Sequence, residues 1–326
     1  MQRIVTLTLS PALDLSTSVD TIEPWRKLRC ETPRTDPGGG GINVARALRE
    51  LGGDPVAVAA IGGHVGSLLA DELRAQGIAL RRVNVRRATR QNFAVTERST
   101  GRQFRFVHES PAMSPAEWTR VLDATVEQAR GAAFVVASSS VPVGVPADAF
   151  AVLAERLHAM DLRVVVDTSG PALRHAARAP VEFVKPSINE LRAIIDRPVD
   201  TLQSCEIAIR ELFEQGRCAM VVVSLGADGA LFVPRHDDAF VVRPPQITPI
   251  STSGAGDSMV AALTLALSRG EPLVDAARFS VAAGTSATLV EGTGLCKLDA
   301  VRRLMLETTV APLQSRATEL GAPTCP

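Results

Sequence analysis

Short apolar, β-branched runs alternate along the chain with stretches whose apolar residues recur every three to four positions, the pattern of buried strands followed by amphipathic helices. Residues 3–9, 56–61, 80–85, 133–137, 163–167, 183–184 and 220–225 read as strands, with 230–233 following a tight turn and 239–243 expected as an edge strand. Helices are predicted over 42–51, 65–76, 115–129, 147–160, 259–267, 273–289 and 298–308, and a further helix is expected to start near Glu190. This rhythm specifies an α/β fold with a mostly parallel central sheet flanked by helices.

Two segments break the rhythm. From 15 to 36 the chain is polar and β-branched and is punctuated by prolines at 24, 33 and 37, which suits exposed strands that cover something, with Asp14 on the loop leading into them. Residues 91–97 and 102–107 alternate polar and apolar around Ser99-Thr100-Gly101, the signature of an antiparallel hairpin with one wet face. Together, segments 13–36 and 89–108 are expected to form a small β layer on a single domain over 1–310, with 311–326 a loose tail.

Two glycine-rich helix entries carry the candidate chemistry. Ser251-Thr-Ser-Gly-Ala-Gly-Asp-Ser258 leads straight into the apolar run 259–267, so backbone N–H groups at the helix start are able to point at one anion while the helix dipole favours negative charge there. Asp257 then pairs a base with an anion hole; the plainer alternative is a capped helix after a Gly/Ser turn. Pro37-Gly-Gly-Gly-Gly41 opens the other helix, but a dinucleotide G-x-G-x-x-G would need glycine where Asn43 stands. Arg90 and Arg105, on or beside the hairpin, read either as a phosphate clamp or as solvated charges that keep an edge from aggregating. Lys185 and Glu190 flank a helix entry, in reach of phosphate oxygens and hydrated Mg²⁺, or form a surface pair.

With 35 basic and 35 acidic side chains in 326 residues, no net field draws nucleic acid or an anionic membrane, and small molecules are the expected partners. Five scattered cysteines without metal-like spacing, together with no signal peptide or membrane-length apolar run, place the protein in the cytoplasm. Neither Lys27, Lys185 nor Lys297 follows a glycine, which excludes a Walker A loop, and the D-F-G and H-R-D sequences of protein kinases are missing.

The chain resembles the PfkB (ribokinase-like) carbohydrate kinases, and within them the phosphofructokinase branch, from Arg3 to about Leu306. The resemblance rests on Thr6-Leu-Thr-Leu-Ser-Pro-Ala-Leu-Asp14, Lys27-Leu-Arg-Cys30, Pro37-Gly-Gly-Gly-Gly-Ile-Asn-Val-Ala-Arg46, Thr89-Arg-Gln-Asn92, Val184-Lys-Pro186, Val222-Val-Ser-Leu-Gly226 and Ser253-Gly-Ala-Gly-Asp-Ser-Met-Val260. It implies ATP-dependent phosphorylation of fructose 6-phosphate, with tagatose 6-phosphate and fructose 1-phosphate as alternative substrates and a catalytically silent sensor as the alternative of another class. By motif match Asp257 would be the base and the Gly254, Ala255 and Gly256 amides the anion hole. Asp14, Gly39, Gly40 and Asn43 would hold sugar hydroxyls, with Ser139 and Ser140 nearby, and Arg90, Arg105 and Lys27 would hold the 6-phosphate. Lys185, Ser187, Ser224, Gly226, Gly229, Ser251 and Thr252 would line the ATP site, with Glu190 ordering water on Mg²⁺. The family also implies a homodimer through the lid sheet, and a monovalent cation is possible. Ser187 stands where the family's metal motif has Asn, and Ser138-Ser139-Ser140 replaces its Gly-Ser.

Overall fold

The computed structural model describes residues 2–292 and 294–313. Its main sheet has ten strands. In chain order the elements of the first half are β1 (Arg3–Thr8), β2 (Ala12–Val19), β3 (Arg34–Gly38), α1 (Gly40–Glu50), β4 (Asp54–Ile61), α2 (Gly63–Ala75), β5 (Ala79–Asn84), β6 (Arg90–Glu97), β7 (Gln103–Phe106) and α3 (Pro115–Ala129). Then come β8 (Phe134–Ser138), α4 (Ala149–His158), β9 (Arg163–Asp167), α5 (Gly170–Ala176), β10 (Phe183–Val184), α6 (Ile188–Ile194), α7 (Leu202–Glu214), β11 (Met220–Ser224), β12 (Ala230–Pro234), β13 (Phe240–Arg243), α8 (Ala255–Ser268), α9 (Leu273–Thr288), α10 (Leu298–Glu307) and β14 (Thr309–Pro312).

The sheet order is β14-β13-β12-β11-β10-β9-β8-β1-β4-β5, parallel from β5 to β11 and antiparallel beyond. The buried parallel strands are apolar on both faces, as helices on both sides require. Val5, Leu7, Val135, Val164, Val166 and Val221 pack into one core. Ile4, Phe134, Val136, Val165, Phe183 and Val222, alternating with them, pack under α1, α8 and α9 in another.

Strand β1 lies between β4 and β8, so connections leave it in both directions across the sheet and a crevice opens at the carboxyl ends of β1 and β8. Helix α1 is seated over that crevice by direct backbone contact. A Cβ on Gly41 would fall 2.3 Å from the Leu7 carbonyl oxygen, and one on Gly40 would fall 2.2 Å from Ser138 Oγ. Only glycine permits that approach.

Strands β3-β2-β6-β7 form a separate four-stranded sheet, the lid. It assembles from the two expected segments, with Asp14 inside β2 opposite Asn92 rather than on a loop. Alternation gives the lid two unlike faces. Asp14, Ser16, Asn92 and Arg105 share one, while Leu15, Phe93, Val95, Phe104 and Phe106 share the other, with Phe93 and Phe106 directly paired. Phe93, Phe104 and Phe106 are exposed.

Strand β13 is not the sheet edge. Residues 309–312 pair with it as β14, through Val241 opposite Ala311, and so take up the start of the expected tail. The remainder of that tail lies outside the described residues.

Gly41→Ala is expected to lower the urea midpoint with an unchanged slope, losing roughly 1–3 kcal/mol because a backbone oxygen cannot step aside for the new methyl.

Candidate active site

Helix α8 starts at Ala255 behind an N-cap, Gly254, in the left-handed conformation (φ 74°). The first rung of the helix runs from Ser258 N to Gly254 O at 2.9 Å, and no side chain caps the turn. Among the described residues the amides of Ala255, Gly256 and Asp257 are therefore left without an acceptor, aimed out of the helix where its dipole is positive. Such a nest binds an anion.

Asp257 occupies the same turn and is half-buried. Asn43, on the first turn of α1, donates from Nδ2 to Asp257 Oδ2 at 2.9 Å, so the N-termini of α1 and α8 meet at the carboxylate. Burial, with the nearby Asp167 carboxylate, pushes its pKa up to about 6, against the opposing pull of Asn43 and Lys185. Lys185 follows β10, is buried, and pairs with Asp167 at 3.4 Å. Burial works against its charge, but Asp167, Glu190 and Asp257 more than offset that and hold its pKa above the usual lysine value. Its ammonium lies against Gly256, 3.1 Å from where a Cβ would sit, so the cation borders the free amides.

Asp167, at the end of β9, was not singled out by the sequence reading, because a carboxylate closing a strand carries no local signature. Burial raises its pKa and Lys185 draws it back, and the Ser138 hydroxyl bonds to it from the neighbouring strand end.

The expected nucleotide residues fall into groups. Ser187 and Glu190 form a capping box on α6, with Ser187 N donating to Glu190 Oε2 at 2.7 Å and Glu190 N to Ser187 Oγ at 3.2 Å. Ser224 bridges to Ser187 at the ends of β10 and β11. Gly226 and Gly229 shape the turn between β11 and β12, both at positive φ. Ser251 precedes α8, its hydroxyl donating to the Gly292 carbonyl at 2.9 Å, and Thr252 beside it is exposed. A cleft of about 470 Å³ opens there, between Ser16, Ser18 and Thr96 of the lid and Ile250, Glu291 and Gly292.

The lid's inner face supplies the rest. Asn92 Nδ2 donates to Asp14 Oδ1 at 2.8 Å, and the amide of His108 donates to Asn92 Oδ1 at 3.1 Å. Burial raises the Asp14 pKa, opposed by Asn92, Arg105 and Arg90 in turn. Arg90 donates from Nη1 to the His108 carbonyl at 2.5 Å, while its Nε is buried with no partner among the described residues. Arg105 is exposed. Lys27 lies on the exposed connection between β2 and β3. Gly39 and Gly40 are the N-cap and first residue of α1.

The serine run resolves into separate roles. Ser139 Oγ accepts from Ser10 N and donates to the Ser140 carbonyl, each at 3.0 Å, and is buried. Ser140 is exposed, its hydroxyl 3.2 Å from that of Ser110. Asn92, His108 and Ser110 join the site unannounced; the Thr89-Arg-Gln-Asn92 motif held a signal for Asn92 only.

A family model for pfkB carbohydrate kinases matches residues 4–300. The chain is 42% identical over 319 residues to the ATP-dependent 6-phosphofructokinase isozyme 2 of Mycobacterium tuberculosis, covering 98% of this chain and 92% of the relative. It is 30% identical over 307 residues to the 1-phosphofructokinase of Borreliella burgdorferi, covering 94% of this chain and 98% of that one. Among solved structures, Escherichia coli phosphofructokinase-2 in complex with potassium superposes with a TM-score of 0.89 at 39% identity, covering 94% of this chain and 99% of that one.

A carboxyl whose pKa rises from 3.8 to about 6 on folding disfavours the folded state once ionised. The cost begins near pH 4, is complete above about 6, and amounts to about 3 kcal/mol. Asp257→Asn should therefore stabilise the protein at pH 8 and much less at pH 4.5, read from urea unfolding at each pH.

Proposed function

The chain belongs to the pfkB family of carbohydrate kinases, and we propose that within it this protein is an ATP-dependent 6-phosphofructokinase, converting fructose 6-phosphate to fructose 1,6-bisphosphate. The observation that carries the reading is the placement of a half-buried carboxylate, Asp257, on the same helical turn as free amides and beside a buried ammonium. A relative of that activity matches nearly the whole chain at higher identity than the 1-phosphofructokinase does.

In this reading the γ-phosphoryl group of ATP lies against the amides of residues 254–257 and Lys185, which stabilise the charge spread over its oxygens. Asp257 accepts the proton of the sugar's 1-hydroxyl as its oxygen attacks phosphorus and ADP leaves. A base with a pKa of about 6 is ionised at neutral pH and still takes a proton readily. Asp14, Gly39, Gly40 and Ser140 hold sugar hydroxyls. Arg90 and Arg105 take the 6-phosphate, the unpartnered Nε of Arg90 being one donor for it, with Lys27 as a further cation. Ser139, tied to the backbone, supports Ser140.

Ser187, Ser224, Gly226, Gly229, Ser251 and Thr252 line the nucleotide. Mg²⁺ fits as an ion held by nucleotide phosphates and water, with the second oxygen of Glu190 available at its edge, since the capping box takes only Glu190 Oε2. Bound there, it would neutralise charge on the phosphates. Ser187 keeps the motif's capping function with a hydroxyl in place of an amide. A monovalent cation is a further ligand in this reading, in keeping with the potassium complex of the E. coli structure.

The apolar outer face of the lid suits a second copy of the chain, which gives a homodimer through the lid sheet. A cytoplasmic location suits the free thiols of the described cysteines, and no described helix is long and apolar enough to cross a membrane.

ADP release with fructose 6-phosphate, tagatose 6-phosphate and fructose 1-phosphate tests the assignment. Fructose 6-phosphate should give the highest kcat/KM; preference for another sugar moves the substrate, and silence with all three leaves a sensor. Asp257→Asn should cut kcat by about 10²–10⁴-fold with ATP affinity kept. The acid limb of wild-type kcat/KM should fall near pH 6, where the carboxyl of the free protein titrates. Arg90→Ala should raise the KM for the sugar phosphate and not that for ATP. Phe93→Asp should yield monomers in sedimentation, and an unchanged mass would place the contact elsewhere.

A further inference from the structure

The sugar contact that the resemblance implies for Asn43 leaves its side-chain hydrogen bond unaccounted for. Its Nδ2 donates to Asp257 Oδ2 at 2.9 Å across the junction of α1 and α8. Its Oδ1 is closed to solvent and has no partner among the described residues, so the acceptor end of the amide does not face the cleft. The opposite amide orientation would set an oxygen against a carboxylate oxygen, which the charge forbids. With Oδ2 taken, Asp257 has its other oxygen left for an incoming hydroxyl.

We propose that Asn43 is a positioning residue for the base: it pins one oxygen of Asp257 so that the other is presented to the acceptor hydroxyl. The proposal rests on the assignment of Asp257 as base. The contact is fixed from below, because α1 sits in backbone contact with the ends of β1 and β8 and cannot slide. It is also charge-selective. The charged groups facing Asp257 are Asp167 from the end of β9 and Lys185 beyond β10, with Glu190 acting on that lysine. Removing the Asn43 donor leaves burial and Asp167, which both disfavour the carboxylate, opposed by Lys185 alone.

The test combines a binding-independent titration with kinetics. The Asp257 carboxyl is followed by ¹³C NMR in the free protein, assigned by its loss in Asp257→Asn. In Asn43→Ala the midpoint should rise by about half a unit or more, and in the near-isosteric Asn43→Asp, which sets like charges together, further still. With the sugar phosphate that wild type turns over, Asn43→Ala should lower kcat at pH 7 by roughly tenfold or more, shift the acid limb of kcat/KM upward by the same interval, and leave the KM for ATP within about twofold. In an Asp257→Asn background the same change should lower kcat by less than about twofold, because the group it positions is gone.

An unmoved titration, a variant that loses only sugar affinity, or full additivity in the double variant would overturn the proposal. The titration needs no substrate, so it is read even if the wild-type sugar is not fructose 6-phosphate; that outcome would displace the substrate assignment and leave this one standing.

Discussion

Helix α1 has to lie in backbone contact with the ends of β1 and β8, and the rest of the site is built on that contact. Residues with a Cβ at 40 and 41 would lift the helix off the sheet, since neither Ser138 nor the Leu7 carbonyl has room to retreat. Seated this low, α1 brings Asn43 to the first turn of α8. Two helix N-termini then converge on one small volume at the carboxyl end of a parallel sheet, where the dipoles of both favour negative charge.

Negative charge is what the site accumulates. Asp257 and Asp167 are both disfavoured as carboxylates by burial, and Asp167 raises the difficulty further for Asp257, as Glu190 does for Asp167. Lys185 pairs with Asp167 and borders the free amides, more firmly protonated than an ordinary lysine because of the acids around it. Without a phosphate in the nest, this cluster holds an ionised base at a cost in stability. With one, the free amides and the ammonium gain the partner for which they are aligned. The lid adds the second requirement, discrimination. Its inner face offers a carboxylate braced by Asn92 and an arginine, Arg90, braced by the His108 carbonyl, and its outer face is apolar, so one sheet has both a ligand side and a side suited to a copy of itself.

Much of this was legible in the chain. Strand runs such as Met220–Ser224 declare themselves by β-branched residues, and the entry glycines of α1 and α8 mark places where backbone must come close to something. The helix expected to start near Glu190 is present as α6, and the structure shows Ser187 and Glu190 as its reciprocal cap. Less legible were groups whose role exists only through register. Asp167 and Ser138 look like ordinary strand ends until β8 and β9 pair them side by side. Asp14 reads as a loop residue because Ser10-Pro11 closes the first strand just ahead of it, whereas pairing with Asn92 on one side and Asp36 on the other makes it a strand residue. Strand β14 was hidden because Thr-Val-Ala-Pro has little pattern of its own and gains its order from β13. The contact between Asn43 and Asp257, separated by 214 residues, has no local trace.

The most direct measurement is a crystal structure with fructose 6-phosphate and a non-hydrolysable ATP analogue. The account predicts the γ-phosphate on the amides at the start of α8, with the free oxygen of Asp257 about 2.6–3.2 Å from the sugar's 1-hydroxyl. A γ-phosphate bound away from those amides, or a sugar whose 1-hydroxyl faces some other group, would contradict it.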